Sequence, residues 1–420
     1  MSATRSTDGM IIAMTSLVTV EEVRAARETL AQMARTTPLF RAKGLHPRLG
    51  NVYYKCENLQ RAGAFKVRGA YVRMSRLSQR QREAGVVAAS AGNHAQGVAV
   101  AARELGIRAT VFMPVGAPLP KVAATRSYGA EVELVGATVD ESLAQAKAHA
   151  SETGAEFIHP FDHPDVIAGQ GTVGLEILEQ HPQVKTIVVG VGGGGLISGI
   201  AAVTKAVDPD IKIIGVQASG AAAFPTSLQH GRPVGLPDVA TLADGIKVKR
   251  PGDVTFSHVE ALVDEVATVS DEDISQAVLL LLERNKILAE PAGAVGVAAL
   301  QSGAVEVDDD TVVVLSGGNI DPLLLLRIIE HGLAASGRFL RCTVRCPDRP
   351  GALASILSLI ADRGGNVVDV VHRRHDPSLR VGEVAVALSV ETRGEDHAAH
   401  LGQALRDAGY ALSGWDASAH

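Results

Sequence analysis

The sequence predicts an α/β protein made of two parallel-sheet units followed by a smaller βαββαβ domain. Three observations carry that prediction. From about residue 60 to 158, short β-branched apolar runs alternate with helical spacing, and the alternation resumes between residues 185 and 315. The last eighty or so residues switch to a strand-helix-strand-strand-helix-strand order. A length of 420 residues leaves room for two or three domains and a sizeable core.

In chain order, Thr19 caps an amphipathic pattern over residues 20–35, and Thr37-Pro38-Leu39 turns the chain into a short strand. Strands are expected at 86–89, 109–113, 131–135, 156–158, 185–191, 211–216 and 311–315, with helices between them that cover largely parallel sheets. Residues 220–260, rich in Gly, Pro and polar side chains, read as an extended connection. Ser270-Asp271-Glu272-Asp273 caps a helix running to Asn285. The pattern changes near residues 334–337. A strand at 338–346, a turn at 347–351, a helix to Arg363, strands at 366–374 and 380–391, a helix at 395–408 and a short last strand make a ferredoxin-like unit. The expected domains are therefore 1–334, with the smaller α/β unit of about 60–158 inserted in the larger, and 338–417.

The net charge of −6, with both signs interspersed, gives no basic stripe for nucleic acid. No apolar run reaches 18 residues, so no membrane span is expected. The first fifteen residues make a poor secretory signal and read as a frayed terminus. Three cysteines, Cys56, Cys342 and Cys346, are too few and too scattered for a disulfide framework, and the last two lack the second pair of a metal site. They read as packing residues in a reducing compartment, with the cytoplasm expected.

Four stretches carry chemistry. In Gly63-Ala64-Phe65-Lys66-Val67-Arg68-Gly69-Ala70, a polar loop ends at Lys66 where helical spacing begins. An amine at a helix N-terminus loses its proton more readily than a solvated one, which suits covalent catalysis. On these residues alone an ordinary first-turn lysine is the stronger reading. Gly190-Val191-Gly192-Gly193-Gly194-Gly195 lies between a strand and a helix, where backbone N–H groups can cradle a phosphate. It also satisfies the dinucleotide fingerprint, but the next strand ends at Gln217, with no carboxylate for a ribose. Ser90-Ala91-Gly92-Asn93-His94 opens another helix: its small residues can hold a carboxylate, Asn93 offers a neutral donor, and a plain capped start reads as well. Ser316-Gly317-Gly318-Asn319 follows a strand, where a hydroxyl points into the ligand crevice of an α/β sheet; Glu290-Pro291-Ala292-Gly293 opens a helix whose acid could be a simple first-turn residue.

Together these motifs resemble the fold-type-II pyridoxal-phosphate enzymes, of the tryptophan synthase β-like fold, and within them the threonine dehydratases, over residues 35–330. The resemblance implies pyridoxal 5'-phosphate as cofactor, with Lys66 as the lysine that holds it and later serves as base. Phe65 and Gly245 flank its ring, Asn93 donates to its hydroxyl, Gly192, Gly193, Gly194 and Gly195 cup its phosphate, and Ser316 faces its ring nitrogen. It implies a substrate site at Ser90, Ala91, Gly92, His94 and Glu290. Serine racemases of this fold have a second serine at the position of Ala91 and carboxylates where Gln217, Ala221 and Ala223 stand here, so neither racemisation nor a metal is expected. Residues 338–417 resemble an ACT domain, which implies an amino-acid effector near Asp348, Gly351, Ala352 and Leu353 and a homodimer or homotetramer. The expected reaction is elimination of the β-hydroxyl of threonine, and more slowly serine, to the 2-oxo acid and ammonia. The competing expectations are a nicotinamide oxidoreductase and a non-catalytic amino-acid sensor.

Overall fold

The computed structural model describes residues 17–307, 310–335, 337–374 and 379–413. The segment expected to be a frayed terminus, and residues 414–417 of the expected C-terminal domain, lie outside them. The chain divides into two compact units, Met1–Asp321 and Pro322–His420.

In the first unit, helix α1 (Val20–Leu30) starts at a capping box between Thr19 and Glu22. It stops five residues short of the expected end: the Ala31 N–H goes to Glu28 O and the Met33 N–H to Leu30 O, tighter than the α-helical ladder, and Arg35 is then held by the Gln60 side chain. Strands β1 (Leu39–Arg41) and β2 (Val52–Lys55) pair antiparallel. Helices α2 (Lys66–Ser75) and α3 (Gln79–Ala84) lead into β3 (Val86–Ala89), α4 (Asn93–Leu105), β4 (Ala109–Met113), α5 (Leu119–Ser127), β5 (Glu131–Leu134), α6 (Val139–Thr153) and β6 (Glu156–Phe157). These strands form a parallel sheet ordered β5-β4-β3-β6.

Helix α7 (Pro164–Gln180) carries the chain to β7 (Thr186–Gly190), α8 (Gly195–Val207), β8 (Lys212–Ala218), α9 (Ala223–His230), α10 (Asp253–Leu262), β9 (Glu265–Val269), α11 (Asp271–Leu280), α12 (Pro291–Ser302) and β10 (Thr311–Val314). The sheet order is β1-β2-β10-β7-β8-β9, parallel from β2 onward. Its central strands are apolar on both faces, with Ile187, Val188, Val312 and Val313 fully buried, as helices on both sides require. The two parallel-sheet units expected from the alternation are present.

Two expectations fail locally. The segment 220–260 is not an extended connection, since it contains α9 and α10. Neither helix has a side-chain cap of its own, so the usual start signal is missing. The helix expected to reach Asn285 is α-helical only to Leu280; a π-helical turn follows, ending at Lys286 in the left-handed region.

The second unit has helix α13 (Pro322–Ala335), β11 (Phe339–Pro347), α14 (Ala352–Asp362), β12 (Asn366–Arg373), β13 (Glu383–Glu391), α15 (Glu395–Asp407) and β14 (Ala411–Ser413). The antiparallel order β12-β13-β11-β14 is the ferredoxin-like arrangement read from the sequence. Its core joins Val344, Val386 and Leu388 to Ile356, Ile360 and Leu401. Cys342 and Cys346 are buried and free, as is Cys56 in the first unit. No helix among the described residues is long and apolar enough to cross a membrane.

Candidate active site

Lys66 is the first residue of α2, preceded by an isolated bridge between Ala64 and Gly317 and by a Phe65 N–H that donates to Ser316 O at 3.2 Å. The loop that delivers the amine is therefore stitched to the loop that delivers Ser316. The stem of Lys66 is half-buried and its Nζ donates to Pro160 O at 2.9 Å. No carboxylate among the described residues lies within ion-pair distance. Desolvation, only partly opposed by Glu290, lowers the amine from 10.5 to about 8, so a useful fraction is neutral near physiological pH. Helix α4 lies against the same residue: a Cβ at Gly97 would come 3.1 Å from the Lys66 carbonyl carbon.

Asn93 opens α4 and its amide is placed from both ends. Its Nδ2 donates to Glu290 Oε1 at 2.5 Å, and its Oδ1 accepts from Asn319 Nδ2 at 2.8 Å. Asn319 also donates to Ala62 O at 2.7 Å, which ties the three loops together. Glu290 is 7% exposed; burial raises its carboxyl to about 7, although the Asn93 bond pulls the other way. Gly317 and Gly245 make room for it, since a Cβ would come within 2.3 Å and 3.4 Å of Oε1 respectively. Ser316, 5% exposed, donates weakly to Ala292 O at 3.4 Å. His94 is buried and its Nε2 donates to Ile158 O at 2.8 Å; burial, then the Lys66 charge, lowers the ring to about 3 and keeps it neutral. Ser90 Oγ accepts the Gly92 N–H at 3.1 Å, and a Cβ at Gly92 would meet nothing within 4 Å, so this turn borders open space. Ala91 beside it has no hydroxyl to offer.

The cradle Gly192–Gly195 precedes and opens α8. A Cβ at Gly193 would lie 2.3 Å from the Phe161 ring, and one at Gly192 2.9 Å from Ile246 Cα, so only bare backbone fits. Gly194, the residue before α8, has φ +95°, a left-handed conformation that favours glycine. Gly245, next to Ile246, sits at the rim. The structure thus gathers Lys66, Phe65, Asn93, Glu290, Gly245, Ser316 and the cradle around one site.

Gln217 closes off the dinucleotide alternative. Its Nε2 donates to Val191 O at 3.2 Å and its Oε1 accepts from Phe224 N at 2.9 Å, so the side chain is spent on backbone. Among the described residues no His, Cys, Asp or Glu cluster is arranged to hold a metal.

In the second unit the expected effector residues lie where β11 turns into α14. Asp348 is exposed, its N–H donating to Gly382 O at 2.8 Å and its Oδ1 accepting from Arg374 Nη2 at 3.4 Å. Gly351 precedes α14 at φ +88°, and Ala352 and Leu353 are half-buried in its first turn.

Sequence reasoning did not single out Pro160, Phe161, Asp162 or Thr255. Their segment, His159-Pro160-Phe161-Asp162, looks like a loop before a Pro-started helix, and nothing local points at a glycine loop thirty residues on.

A family model described as pyridoxal-phosphate dependent enzyme matches residues 30–317, and an ACT domain model matches residues 341–409. The chain is 46% identical over 395 residues to an L-threonine ammonia-lyase of Thermotoga maritima, covering 94% of this chain and 98% of that protein. Among solved structures it is similar to maize serine racemase, with a TM-score of 0.71 and 36% identity over 76% of this chain and 98% of that one. A processed threonine deaminase isoform of Solanum lycopersicum matches with a TM-score of 0.70 and 37% identity, over 76% of this chain and 91% of that one.

Proposed function

Because the chain belongs to the pyridoxal-phosphate-dependent enzymes, we propose that it is a threonine ammonia-lyase whose ACT domain takes an amino-acid effector. The residues present fit the cofactor: a bare-backbone cradle for its phosphate, a half-buried amine at Lys66 with no acid in ion-pair distance, and neutral donors at Asn93 and Ser316. Lys66 would hold it covalently, Phe65 and Gly245 would flank the ring, and Ser316 would meet the ring nitrogen.

When bound, pyridoxal phosphate supplies a ring that accepts negative charge from the α-carbon of an amino acid. Lys66 supplies the base. Its lowered pKa would let it take the α-proton near neutral pH from the start of α2. Ser316 is a hydroxyl rather than an acid, so it would not keep a proton on the ring nitrogen, which favours prompt loss of the β-hydroxyl over side reactions at the α-carbon. Threonine loses its α-hydrogen and β-hydroxyl as water; the released enamine tautomerises and takes up water to give 2-oxobutyrate and ammonia. Ser90, Ala91, Gly92 and His94 border the place for the substrate carboxylate. Ala91 cannot return a proton to the opposite face, which disfavours racemisation.

The observation that carries this reading is Lys66, an enclosed amine with no acid to neutralise it, which a nicotinamide enzyme or a sensor has no use for. The test is direct. Purified protein incubated with the cofactor and L-threonine is expected to form 2-oxobutyrate and ammonia in equal amounts, faster than it forms pyruvate from L-serine. D-allo-threonine accumulation, the product of inversion at the α-carbon alone, without 2-oxo acid would overturn the assignment.

The reading extends to regulation. Helix α14 starts at Gly351 with no side-chain cap, so its first-turn backbone suits an amino-acid carboxylate, and pairing of such domains makes a homodimer or homotetramer the expected assembly. Isoleucine, valine or leucine is expected to shift the half-saturating threonine concentration by about 5–150-fold. Sedimentation should show a species larger than the chain. Gly351→Val, strained at φ +88°, is expected to blunt the response. A full-length enzyme indifferent to all three amino acids would leave the domain without this role.

A further inference from the structure

We propose that Asp162 is a positioning residue for the cradle: by capping α10 from across the site it holds the Gly192–Gly195 loop in its anion-binding shape. The inference rests on the reading that this loop takes the cofactor phosphate.

Helix α10 begins after Gly252, which has no side chain to satisfy the first amides. Asp162 does so from the segment before α7. Its Oδ1 accepts from Val254 N at 2.9 Å and Thr255 N at 3.0 Å, and its Oδ2 accepts from Asp253 N at 3.1 Å. A Cβ at Gly252 would fall 2.2 Å from the Asp162 carboxyl carbon, so the glycine is what admits the carboxylate. The negative charge also sits at the positive end of the helix dipole.

The helix so anchored reaches back to the cradle. Thr255 Oγ1 donates to Gly193 O at 2.6 Å, and a Cβ at Gly194 would lie 3.0 Å from Thr255 Cβ. On the other side of Asp162, the Phe161 ring lies against Gly193 and its Cβ and backbone against Gly195, and Pro160 O accepts from Lys66 Nζ. His159 Nδ1 tightens this segment by accepting the N–H groups of Phe161 and Asp162 at 3.3 and 2.8 Å. The contacts close a ring: Lys66 to Pro160, along the chain to Asp162, across to α10, through Thr255 to Gly193, and back to Phe161. Without the carboxylate, three amides of α10 lose their acceptor and Thr255 is no longer held against the Gly193 carbonyl.

The experiment compares the affinity of the apoprotein for pyridoxal 5'-phosphate and for pyridoxal, which lacks the phosphate, in wild type, Asp162→Asn and Thr255→Val. Loss of charged or buried hydrogen bonds of this kind corresponds to about 10–100-fold in an equilibrium constant. Each variant is expected to bind pyridoxal 5'-phosphate about tenfold or more weakly while binding pyridoxal as wild type does. The double variant is expected to lose less than the product of the two single losses, because both act through the same loop. Asp162→Asn keeps an oxygen acceptor, so the protein is expected to fold; Thr255→Val leaves the cap intact and tests the second half of the ring alone. Equal losses for both ligands, or a lower melting temperature with unchanged affinities, would reduce Asp162 to an ordinary helix cap. If wild type itself shows no preference for the phosphorylated ligand, the cradle reading falls, a result distinct from one in which only the variants change.

Discussion

Lys66→Ala is expected to abolish covalent capture of the cofactor and its visible absorbance band near 400–420 nm, and to lower turnover by at least the ~10²–10⁴-fold of a lost general base. The amine has no substitute nearby: His94 is held neutral by burial and its Nε2 is committed to Ile158 O. The same desolvation has a pH signature. A cation whose pKa falls from 10.5 to about 8 is half neutral at about pH 8, so the rate at which wild-type apoprotein captures the cofactor is expected to rise through that pH and level off above it. A variant that kept the band and near-native turnover, or a capture rate flat from pH 6.5 to 9, would remove Lys66 from its assigned place.

The second large effect lies behind the site. Arg68, two residues after Lys66, is 1% exposed and uses all five guanidinium donors: Nε and Nη2 on Glu57 at 2.8 Å each, Nη1 on Glu176 at 2.7 Å and Thr172 at 3.1 Å, and Nη2 again on Arg35 O at 3.2 Å. Lys55, also buried, places its amine on Glu176, Thr37 O and Gln180. Two cations thus face two carboxylates with little solvent. Burial alone would raise the Glu176 carboxyl, and Arg68 and Lys55 override that and hold it below the usual range. Removing one partner from such a cluster costs about 3–5 kcal/mol. Arg68→Met is expected to lower the unfolding free energy of the first unit by that amount at pH 7. Arg68→Lys, with three donors instead of five, should recover little of it. The sign with pH follows from the lowered carboxylate: its contribution is present above the ordinary carboxylate pKa and lost as pH falls through the folded value. The gap between wild type and variant should therefore narrow in acid. A loss under 1 kcal/mol at pH 7 in urea unfolding would show that the cluster is no lock.

What the sequence displayed and what it hid follow one rule of distance. Lys66 at the head of α2 and the glycines at the head of α8 were legible because helix spacing and backbone exposure are written in adjacent residues. The Gln217 argument was legible for the same reason, as a missing carboxylate at a strand end. Arg68 was given no role from the sequence, because its partners Glu57 and Glu176 lie 11 and 108 residues away in the chain. Helix α10 was missed because its cap, Asp162, sits 92 residues before Val254. The pairing of Asn93 with Glu290 spans 197 residues, so the sequence offered both residues but not the hydrogen bond that orients them.

At two crossings helix α7 meets its neighbours backbone to backbone, with no side chain between. A Cβ at Gly169 would fall 2.7 Å from Gly69 Cα, and one at Gly199 2.5 Å from the Gly171 N–H. Side chains can yield by changing rotamer, but peptide units in van der Waals contact cannot. Sliding α7 by one residue would bring Ala168 or Gln170 into these gaps, where no Cβ fits. The two crossings therefore work as a bearing: α2, which carries Lys66, and α8, which opens from the cradle, can pivot about this helix but are barred from travelling along it.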